Sequence, residues 1–211
     1  KLLKENYSKN YIEIEDFGNL TIFDLFKKKK ENKSLIFKKI IKLLIKIQSI
    51  NQKKIKDFRK KDYKIPNYSK KILFDEAKLF VDWYTIQKLS KPNQLNFKKR
   101  FIKVAKNLIK QLHLKNKIFV HRDFHVSNLM MIKNKIGVID TQDALIGNKA
   151  YDLASLIDDV RFKTSKSIKN KIFNFYLKLQ KKLNKKHFKN DFEIISVLRN
   201  LKIIEIFTRL A

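Results

Sequence analysis

The fold of this chain is decided by the stretch Val120-His121-Arg122-Asp123-Phe124-His125-Val126-Ser127-Asn128-Leu129 and, further along, by Gly137-Val138-Ile139-Asp140. An apolar run at 118–120 is typical of a short strand that leads into the first stretch. Positions 129–132 and 136–139 are apolar on both sides of a Lys-Asn-Lys turn, which predicts a hairpin. The segment therefore predicts a polar loop on a small β unit, where a rigid scaffold can present chemistry.

Three polar side chains in this segment suit phosphoryl transfer by their types and their order. Asp123 can orient a substrate hydroxyl for in-line attack on a γ-phosphate and accept its proton. Asn128 and Asp140 offer an amide oxygen and a carboxylate oxygen, which are hard ligands suited to magnesium. Asp and Asn are also ordinary turn residues, but the preceding strand and the following hairpin favour the catalytic interpretation.

The His and Arg residues of the loop are predicted to support it. His121 and Arg122 flank Asp123, and we expect His121 to pack and hydrogen-bond so that it holds the backbone rather than transfers a proton. His125 lies inside the loop, where a positioning role is favoured over metal ligation.

The composition is that of a folded domain. The 211 residues suffice for one domain with its own core, and a hydrophobic fraction of 44% excludes a disordered chain. The chain has no Cys, which excludes disulfides and thiolate metal sites and fits a reducing compartment. No apolar run reaches the roughly 18 residues of a membrane span, so we expect a cytoplasmic protein without a membrane partner.

The net charge of +30 suggests an alternative of a different class, a non-catalytic cationic protein that binds nucleic acid. Only six of the 50 basic residues are Arg, although nucleic-acid surfaces favour Arg for bidentate contacts. Lys, Ile, Asn and Phe are all abundant, as a compositional bias of the genome would produce. We therefore expect a solvated Lys-rich surface and no specific nucleic-acid partner.

The remainder of the chain is predicted to be mainly helical, with a strand at 11–14 and a loop at 51–70. Ser34 is the expected N-cap of the second helix. The predicted helices cover 20–30, 34–50, 72–89, 95–112, 149–161, 167–183 and 191–211.

The segment 119–157 resembles the aminoglycoside phosphotransferase-like kinase family, and within it the bacterial N-acetylmuramate/N-acetylglucosamine kinases. The stretch Ile14-Glu15-Asp16-Phe17-Gly18-Asn19 is similar to the hinge that follows the small lobe of these kinases. Phe80-Val81-Asp82-Trp83-Tyr84 is similar to the helix that faces their sugar pocket, and Arg199-Asn200-Leu201-Lys202 to a late helix. The resemblance implies an α+β fold: a mainly helical C-terminal lobe of a protein-kinase-like fold, with a small central β-hairpin unit.

The resemblance also implies roles for individual residues. Asp123 matches the catalytic Asp, and Asn128 and Asp140 match the magnesium ligands. Asp152 matches an Asp that bonds the catalytic loop from the following helix. The role of Asp143 stays open, because Thr141 stands where the family usually has Phe.

Two further sets of contacts are implied for the substrates. The backbone near Ile14 and Glu15 is expected to face the adenine of ATP. Asp82 and Glu76 are candidates for sugar hydroxyl contacts, although exposed carboxylates on an amphipathic helix explain them equally well. Trp83 is expected in the core rather than as a platform for a sugar ring.

The implied organisation is the end of a small lobe and a hinge at 1–19, followed by a helical large lobe at 20–211. The large lobe would carry the catalytic loop at 120–130 and the metal-binding segment at 136–143. Nothing before Ile12 supplies the phosphate-covering loop and the Lys of the family's N-terminal lobe, so we expect that lobe to be absent, the chain to be cut at both ends and the isolated segment to be inactive.

The resemblance thus implies an ATP- and Mg²⁺-dependent phosphotransferase. Its expected acceptor is a sugar hydroxyl, namely the anomeric hydroxyl of N-acetylmuramate or N-acetylglucosamine in cell-wall (peptidoglycan) recycling. The alternatives within the enzyme class are an aminoglycoside, choline or homoserine kinase, which share the loop. Oligomeric state is not indicated by the sequence.

Overall fold

The computed structural model describes residues 2–28, 32–57 and 59–210. These residues are mainly helical with small sheets, which confirms the predicted α+β class. The strands are β1 (Leu2–Asn6), β2 (Tyr11–Ile14), β3 (Lys54–Lys56), β4 (Asp62–Lys64), β5 (Ile118–Val120), β6 (Leu129–Ile132), β7 (Lys135–Val138) and β8 (Leu145–Gly147). The helices are α1 (Ile22–Lys27), α2 (Lys33–Gln48), α3 (Lys70–Leu79), α4 (Thr85–Lys88), α5 (Lys91–Lys110), α6 (Tyr151–Ile157), α7 (Lys166–Leu179) and α8 (Lys185–Leu210).

The strands near the middle of the chain form two nested antiparallel pairs. β5 pairs with β8, with Val120 opposite Leu145, and β6 pairs with β7 inside that loop. The predicted hairpin is therefore confirmed, with its second strand starting one residue earlier than expected. Nesting brings the end of β5, the start of β6 and the end of β7 to the same side of the β unit.

The segment after β2 runs beside the β6–β7 hairpin. The Met131 amide donates to the Leu20 carbonyl at 2.9 Å, and Thr21 bridges to β6. Gly137 makes this close approach feasible, because a Cβ atom there would lie 2.7 Å from the Phe17 ring. The absence of a side chain at Gly137 thus lets the segment at 17–21 pack onto the hairpin.

The hydrophobic core lies between α2, α6 and α7, beneath the nested strands. One face of α2 is buried along its length, as expected for a wide amphipathic stripe. Every residue of α6 is buried, and the Tyr176 hydroxyl of α7 donates to the Gln48 side chain of α2 at 2.7 Å. The core side chains of α2 are Ile36, Phe37, Ile40, Ile41 and Leu44.

Several predicted boundaries were wrong for local reasons. Asn32, not Ser34, caps α2, because the Asn32 side chain accepts the Leu35 amide at 3.1 Å. α1 is short and ends at Lys27, and the predicted end of that helix at Lys30 lies outside the described residues. The predicted loop at 51–70 contains the β3–β4 hairpin, and the last helix begins at Lys185 rather than at residue 191.

The helix predicted at 72–89 is interrupted by a π-helical turn at Phe80–Tyr84, between α3 and α4. A π turn winds the chain more widely than an α-helix, so side chains within it and after it leave the expected face. Trp83 is 44% exposed, and the Arg209 guanidinium lies 5.9 Å from its ring centroid. The expectation that Trp83 lies in the core was therefore wrong. Within the described ranges, no helix is long and apolar enough to cross a membrane.

Candidate active site

The polar loop after β5 is fixed from below by one carboxylate of α6. Asp152 is fully buried, and its two oxygens accept the backbone amides of His121 at 2.8 Å and Arg122 at 3.0 Å. Burial raises the pKa of Asp152 to about 7, although the two amides oppose that rise. α6 therefore holds the start of the loop through its backbone.

His121 connects the loop to the end of the β6–β7 hairpin. Its Nε2 atom lies 3.0 Å from the Ile139 carbonyl oxygen, and its ring packs edge-on against Phe124. Burial lowers the pKa of His121, which favours the neutral ring with the proton on Nε2, since a carbonyl only accepts. His121 is thus packed against Phe124 and hydrogen-bonded to the Ile139 carbonyl.

The carboxylate of Asp123 is left free in this arrangement. Its backbone carbonyl accepts the His125 amide at 3.0 Å and the Asn128 side-chain amide at 3.1 Å, which closes the loop into a tight turn. The half-buried carboxylate itself makes no hydrogen bond or ion pair within the part of the chain that the structure describes. A polar group of a bound molecule can therefore reach it.

Asn128 directly precedes β6 and Asp140 follows β7, so the two meet at the open end of the hairpin, as the hairpin pattern predicts. The Asn128 Nδ2 atom also donates to the Asp140 Oδ2 atom at 3.2 Å, and the Ile139 amide donates to the Asn128 carbonyl at 3.1 Å. Asp140 has a φ angle of +64°, which turns its exposed side chain back toward the loop, where Gln142 donates to its other oxygen. Since Nδ2 makes both contacts, the Asn128 Oδ1 atom stays available.

These two side chains suit a magnesium ion. An amide oxygen and a carboxylate oxygen are hard donors, and Mg²⁺ commonly takes one or two protein oxygens and completes its shell with water and phosphates. In the described ranges no group of three or more His, Cys, Asp or Glu side chains forms a metal cage. The donor set therefore fits a metal that is shared with a phosphate-bearing substrate.

His125 is buried near Asp159 and Arg161, which follow α6. It is 4% exposed, and burial, together with the positive charge of Arg161, lowers its pKa to about 4, against the opposing charge of Asp159. Its Nδ1 atom is buried without a hydrogen-bond partner among the residues described. His125 is therefore a neutral, packed imidazole.

Glu76 lies against the loop rather than at an exposed surface. Its carboxylate accepts the Tyr68 hydroxyl, the Arg122 Nη2 atom at 2.7 Å and the Lys202 ammonium at 3.1 Å. Burial disfavours the charged form of Arg122, but the nearby Glu76 carboxylate favours it, and the pKa of Arg122 is raised overall. The sequence did not indicate Tyr68, which falls in the predicted loop, or the ion pair of Lys202, one of many Lys.

Asp82 is also paired within the chain. Its carboxylate accepts the ammonium groups of Lys78 at 2.6 Å and Lys98 at 2.7 Å. Partial burial opposes its ionisation, but the hydrogen bonds from the two Lys side chains lower its pKa overall. Asp82 is therefore a charged residue that ties the π turn to α5.

The other predicted site residues lie at exposed positions. Asp143 follows the metal-ligand candidates on an exposed turn before β8. Ile14 ends β2 opposite Leu2 with 63% of its surface exposed, and Glu15 is exposed beside it. The segment that follows Ile14 and Glu15 reaches the β6–β7 hairpin, where Leu20 and Thr21 contact β6.

Comparison with known proteins gives a consistent result. Residues 27–183 match the model of a phosphotransferase enzyme family. The chain is 31% identical over 157 residues to an N-acetylmuramate/N-acetylglucosamine kinase of Neisseria meningitidis, which covers 69% of this chain and 46% of the relative. It is 25% identical over 216 residues to the Pseudomonas aeruginosa protein of the same name, covering 100% of this chain and 61% of the relative. The chain thus spans only part of the length of these relatives.

Solved structures show the same fold at low identity. The ADP-bound aminoglycoside phosphotransferase APH(2'')-Ib superposes with a TM-score of 0.59 at 16% identity, over 92% of this chain and 63% of that one. An ethanolamine kinase of Plasmodium vivax gives 0.58 at 15% identity, over 90% and 56%. At such identities the likeness establishes the protein-kinase-like fold and nothing about the acceptor.

Proposed function

Because this chain belongs to the phosphotransferase enzyme family, we propose that it carries the catalytic loop of an ATP-dependent kinase that phosphorylates a sugar hydroxyl. One observation carries the proposal: the amide of Asn128 bonds both the Asp123 carbonyl and the Asp140 carboxylate. It thereby holds a free carboxylate next to a pair of oxygen ligands. Phosphoryl transfer needs that pairing of a base with a phosphate-binding metal.

In the proposed reaction Asp123 orients the acceptor hydroxyl. Its carboxylate accepts a hydrogen bond from the hydroxyl and takes the proton as the oxygen bonds to the γ-phosphorus of ATP. The bond from that phosphorus to the bridging oxygen breaks, and ADP leaves with it. The loop contributes mainly position, because the transfer itself needs little covalent help from the protein.

Asn128 and Asp140 are the residues that would hold Mg²⁺, through Oδ1 and the carboxylate. Bound magnesium would supply positive charge that offsets the charge on the transferring phosphate. His121, Arg122 and Asp152 support the loop through the contacts described, and His125 packs beneath it. Asp143 lies on the exposed turn, and its negative charge adds to that of Glu76 in raising the pKa of Arg122.

The acceptor is proposed from the names of the relatives. Both curated relatives are N-acetylmuramate/N-acetylglucosamine kinases, which supports an N-acetylated amino sugar as the acceptor. We propose its anomeric hydroxyl as the site of transfer, with a role in cell-wall recycling. Asp82, already paired with two Lys side chains, would meet a sugar only through a free lone pair.

The organisation into lobes is likewise proposed from the similarity to these kinases. Residues 1–19 would form the end of the small lobe and the hinge, with the backbone of Ile14 and Glu15 facing adenine. Residues 20–211 would form the large lobe. Because half of the ATP cleft would come from outside this segment, we expect turnover only from the full-length protein.

Turnover by the full-length protein tests the proposal. The purified protein is incubated with ATP, Mg²⁺ and either N-acetylmuramate or N-acetylglucosamine, and sugar phosphate is followed by phosphorus NMR. Kanamycin, choline and homoserine serve as acceptors that separate the related kinase classes. Transfer to an amino sugar, absent in Asp123→Asn, is expected; transfer to none of the sugars would exclude the proposed acceptor.

A further inference from the structure

Arg122 lies in a backbone conformation that its residue type disfavours. Its φ angle is +77°, in the left-handed region that suits Gly and strains residues with a side chain. Such residues persist only where their surroundings hold them in place. Since Arg122 directly precedes Asp123, its backbone direction decides where the Asp123 carboxylate lies.

The contacts of Arg122 come from both sides of the loop. Its amide donates to Asp152 at 3.0 Å, which fixes the backbone nitrogen but not the direction of the side chain. Its guanidinium Nη2 atom donates to the Glu76 Oε1 atom at 2.7 Å and its guanidinium carbon lies 6.0 Å from the Tyr68 ring centroid. The side chain is thus held by α3 and by the segment that precedes it.

The Glu76 carboxylate is already occupied by hydrogen bonds and ion pairs within the chain. Its side chain is 15% exposed, and hydroxyl, guanidinium and ammonium donors from Tyr68, Arg122 and Lys202 surround it. These three donors leave only one of the roughly four lone-pair sites of the carboxylate, so little room remains for a sugar hydroxyl. Direct recognition of the acceptor by Glu76 is therefore disfavoured.

We propose that Glu76 is a positioning residue for Asp123: it anchors Arg122 in the left-handed conformation and thereby aims the carboxylate that follows. Its effect on turnover rests on the proposed kinase function, because the aim of Asp123 matters to the rate only if Asp123 is the base. The effect on the loop itself does not depend on any activity. Lys202 extends the anchor to α8, so the loop is tied to two helices at one point.

The kinetic test uses Glu76→Gln in the full-length protein, which keeps the side-chain shape and removes its charge. We expect kcat to fall about 10- to 100-fold, because a small displacement of a catalytic group has effects of that size. KM for the sugar and for ATP should stay within about twofold, since neither is bound by Glu76. A rise in KM for the sugar at unchanged kcat would instead make Glu76 an acceptor contact and overturn the proposal.

Rescue by glycine separates positioning from general structural support. Gly adopts a left-handed φ without an anchor, so adding Arg122→Gly to Glu76→Gln should restore kcat toward the wild-type value. Adding Arg122→Ala should not, because Ala keeps the strain. If the glycine variant recovers nothing, the proposal fails. Should Glu76→Gln not fold, Arg122→Gly and Arg122→Ala alone provide the same comparison, with the glycine variant the more active.

Hydrogen exchange gives a measurement that is independent of turnover. The amides of His121 and Arg122, which donate to Asp152, should exchange faster in Glu76→Gln and slow again when Arg122→Gly is added. Asp158→Asn is the matched control: its side chain is 20% exposed and accepts Lys169 at 2.6 Å and the Ser196 hydroxyl, without touching the loop. It should leave both exchange and kcat unchanged. Unchanged exchange in Glu76→Gln would overturn the proposal, whereas faster exchange without any sugar turnover would refute only the kinase function.

Discussion

The side-chain amide of Asn128 lies 3.2 Å from the carboxylate of Asp140, at the open end of one hairpin. The same nitrogen lies 3.1 Å from the carbonyl of Asp123, so one amide fixes the distance between the proposed base and the proposed metal site. The two parts of the site are therefore set by the backbone of a single β unit.

Removing the charge of Asp123 should stop phosphoryl transfer without disturbing nucleotide binding. In Asp123→Asn of the full-length protein we expect kcat to fall about 10²- to 10⁴-fold, since general-base assistance is worth that much. The affinity for ATP, measured by calorimetry, should be unchanged, because among the described residues the carboxylate has no hydrogen-bond or ion-pair partner that would support the loop. Glu193→Gln, an exposed carboxylate on α8, serves as a control with wild-type rates. Retained activity in Asp123→Asn would remove Asp123 from its proposed role.

Asp140→Asn should weaken the use of magnesium rather than the use of sugar. Loss of one charged ligand is expected to raise the Mg²⁺ concentration for half-maximal turnover by at least about tenfold, as even indirect perturbations of metal sites have effects of that size. Binding of Mn²⁺ in the presence of ATP, followed by electron paramagnetic resonance, checks the same point without turnover. An unchanged metal requirement would show that Asp140 is not a ligand.

The buried imidazole of His125 should make the protein less stable in mild acid. Its pKa is lowered from 6.5 to about 4 in the folded state, so the unfolded chain binds the proton more readily between those values. As pH falls from about 6.5 toward 4, the free energy of unfolding should drop by up to roughly 1.4 kcal/mol per pH unit from this group. Above pH 6.5 the group contributes no pH dependence.

Urea unfolding of the wild type and His125→Gln, without nucleotide or metal, measures this effect. The stability difference between the two should shift in favour of the variant as the pH is lowered from 6.5 to 4.5. A difference that stays constant over this range would mean that His125 keeps its ordinary pKa in the folded protein.

Asp191 should be a strong stability determinant although it lies away from the active site. It is fully buried on α8 and accepts the amides of His113 at 2.8 Å and Leu114 at 2.9 Å, and the side chain of Asn148 at 2.7 Å. Asp191→Ala leaves these donors unpaired, so we expect a loss of about 3 kcal/mol in the free energy of unfolding.

Denaturant unfolding checks the expectation for Asp191. Glu193→Ala, two residues along the same helix, is the matched control: its side chain is 63% exposed, and the change should lie within about 0.5 kcal/mol. Equal losses in the two variants would mean that the hydrogen bonds of Asp191 contribute little.

The features that the sequence predicted correctly are those whose cause is local. The hairpin at 129–138 follows from apolar runs around a short turn, and the meeting of Asn128 and Asp140 follows from that hairpin. The α+β class follows from helical periodicity in most of the chain. Each of these features depends on residues that are close together in the sequence, and hydrophobic periodicity detects only such local relationships.

The features that the sequence did not predict depend on distant partners or on a change of helical phase. Glu76 and Arg122 are 46 positions apart in the sequence, and Asp191 and His113 are 78 apart. No local pattern therefore predicts either contact. The exposure of Trp83 results from a π turn, which shifts the helical period that the prediction assumed. The start of α8 was missed because its first residues are Lys-rich and carry no apolar periodicity.

The nested pairing of β5 with β8 and of β6 with β7 has a consequence for the order of folding. All contacts within that unit close short loops, whose entropy cost is small, so we expect it to assemble early. The contact between Glu76 and Arg122 closes a longer loop and requires α3 to have docked. A refolding chain should therefore pass through a stage in which Asp123 and Asn128 are already joined while Arg122 is not yet anchored, and catalytic competence would be the last property to be acquired.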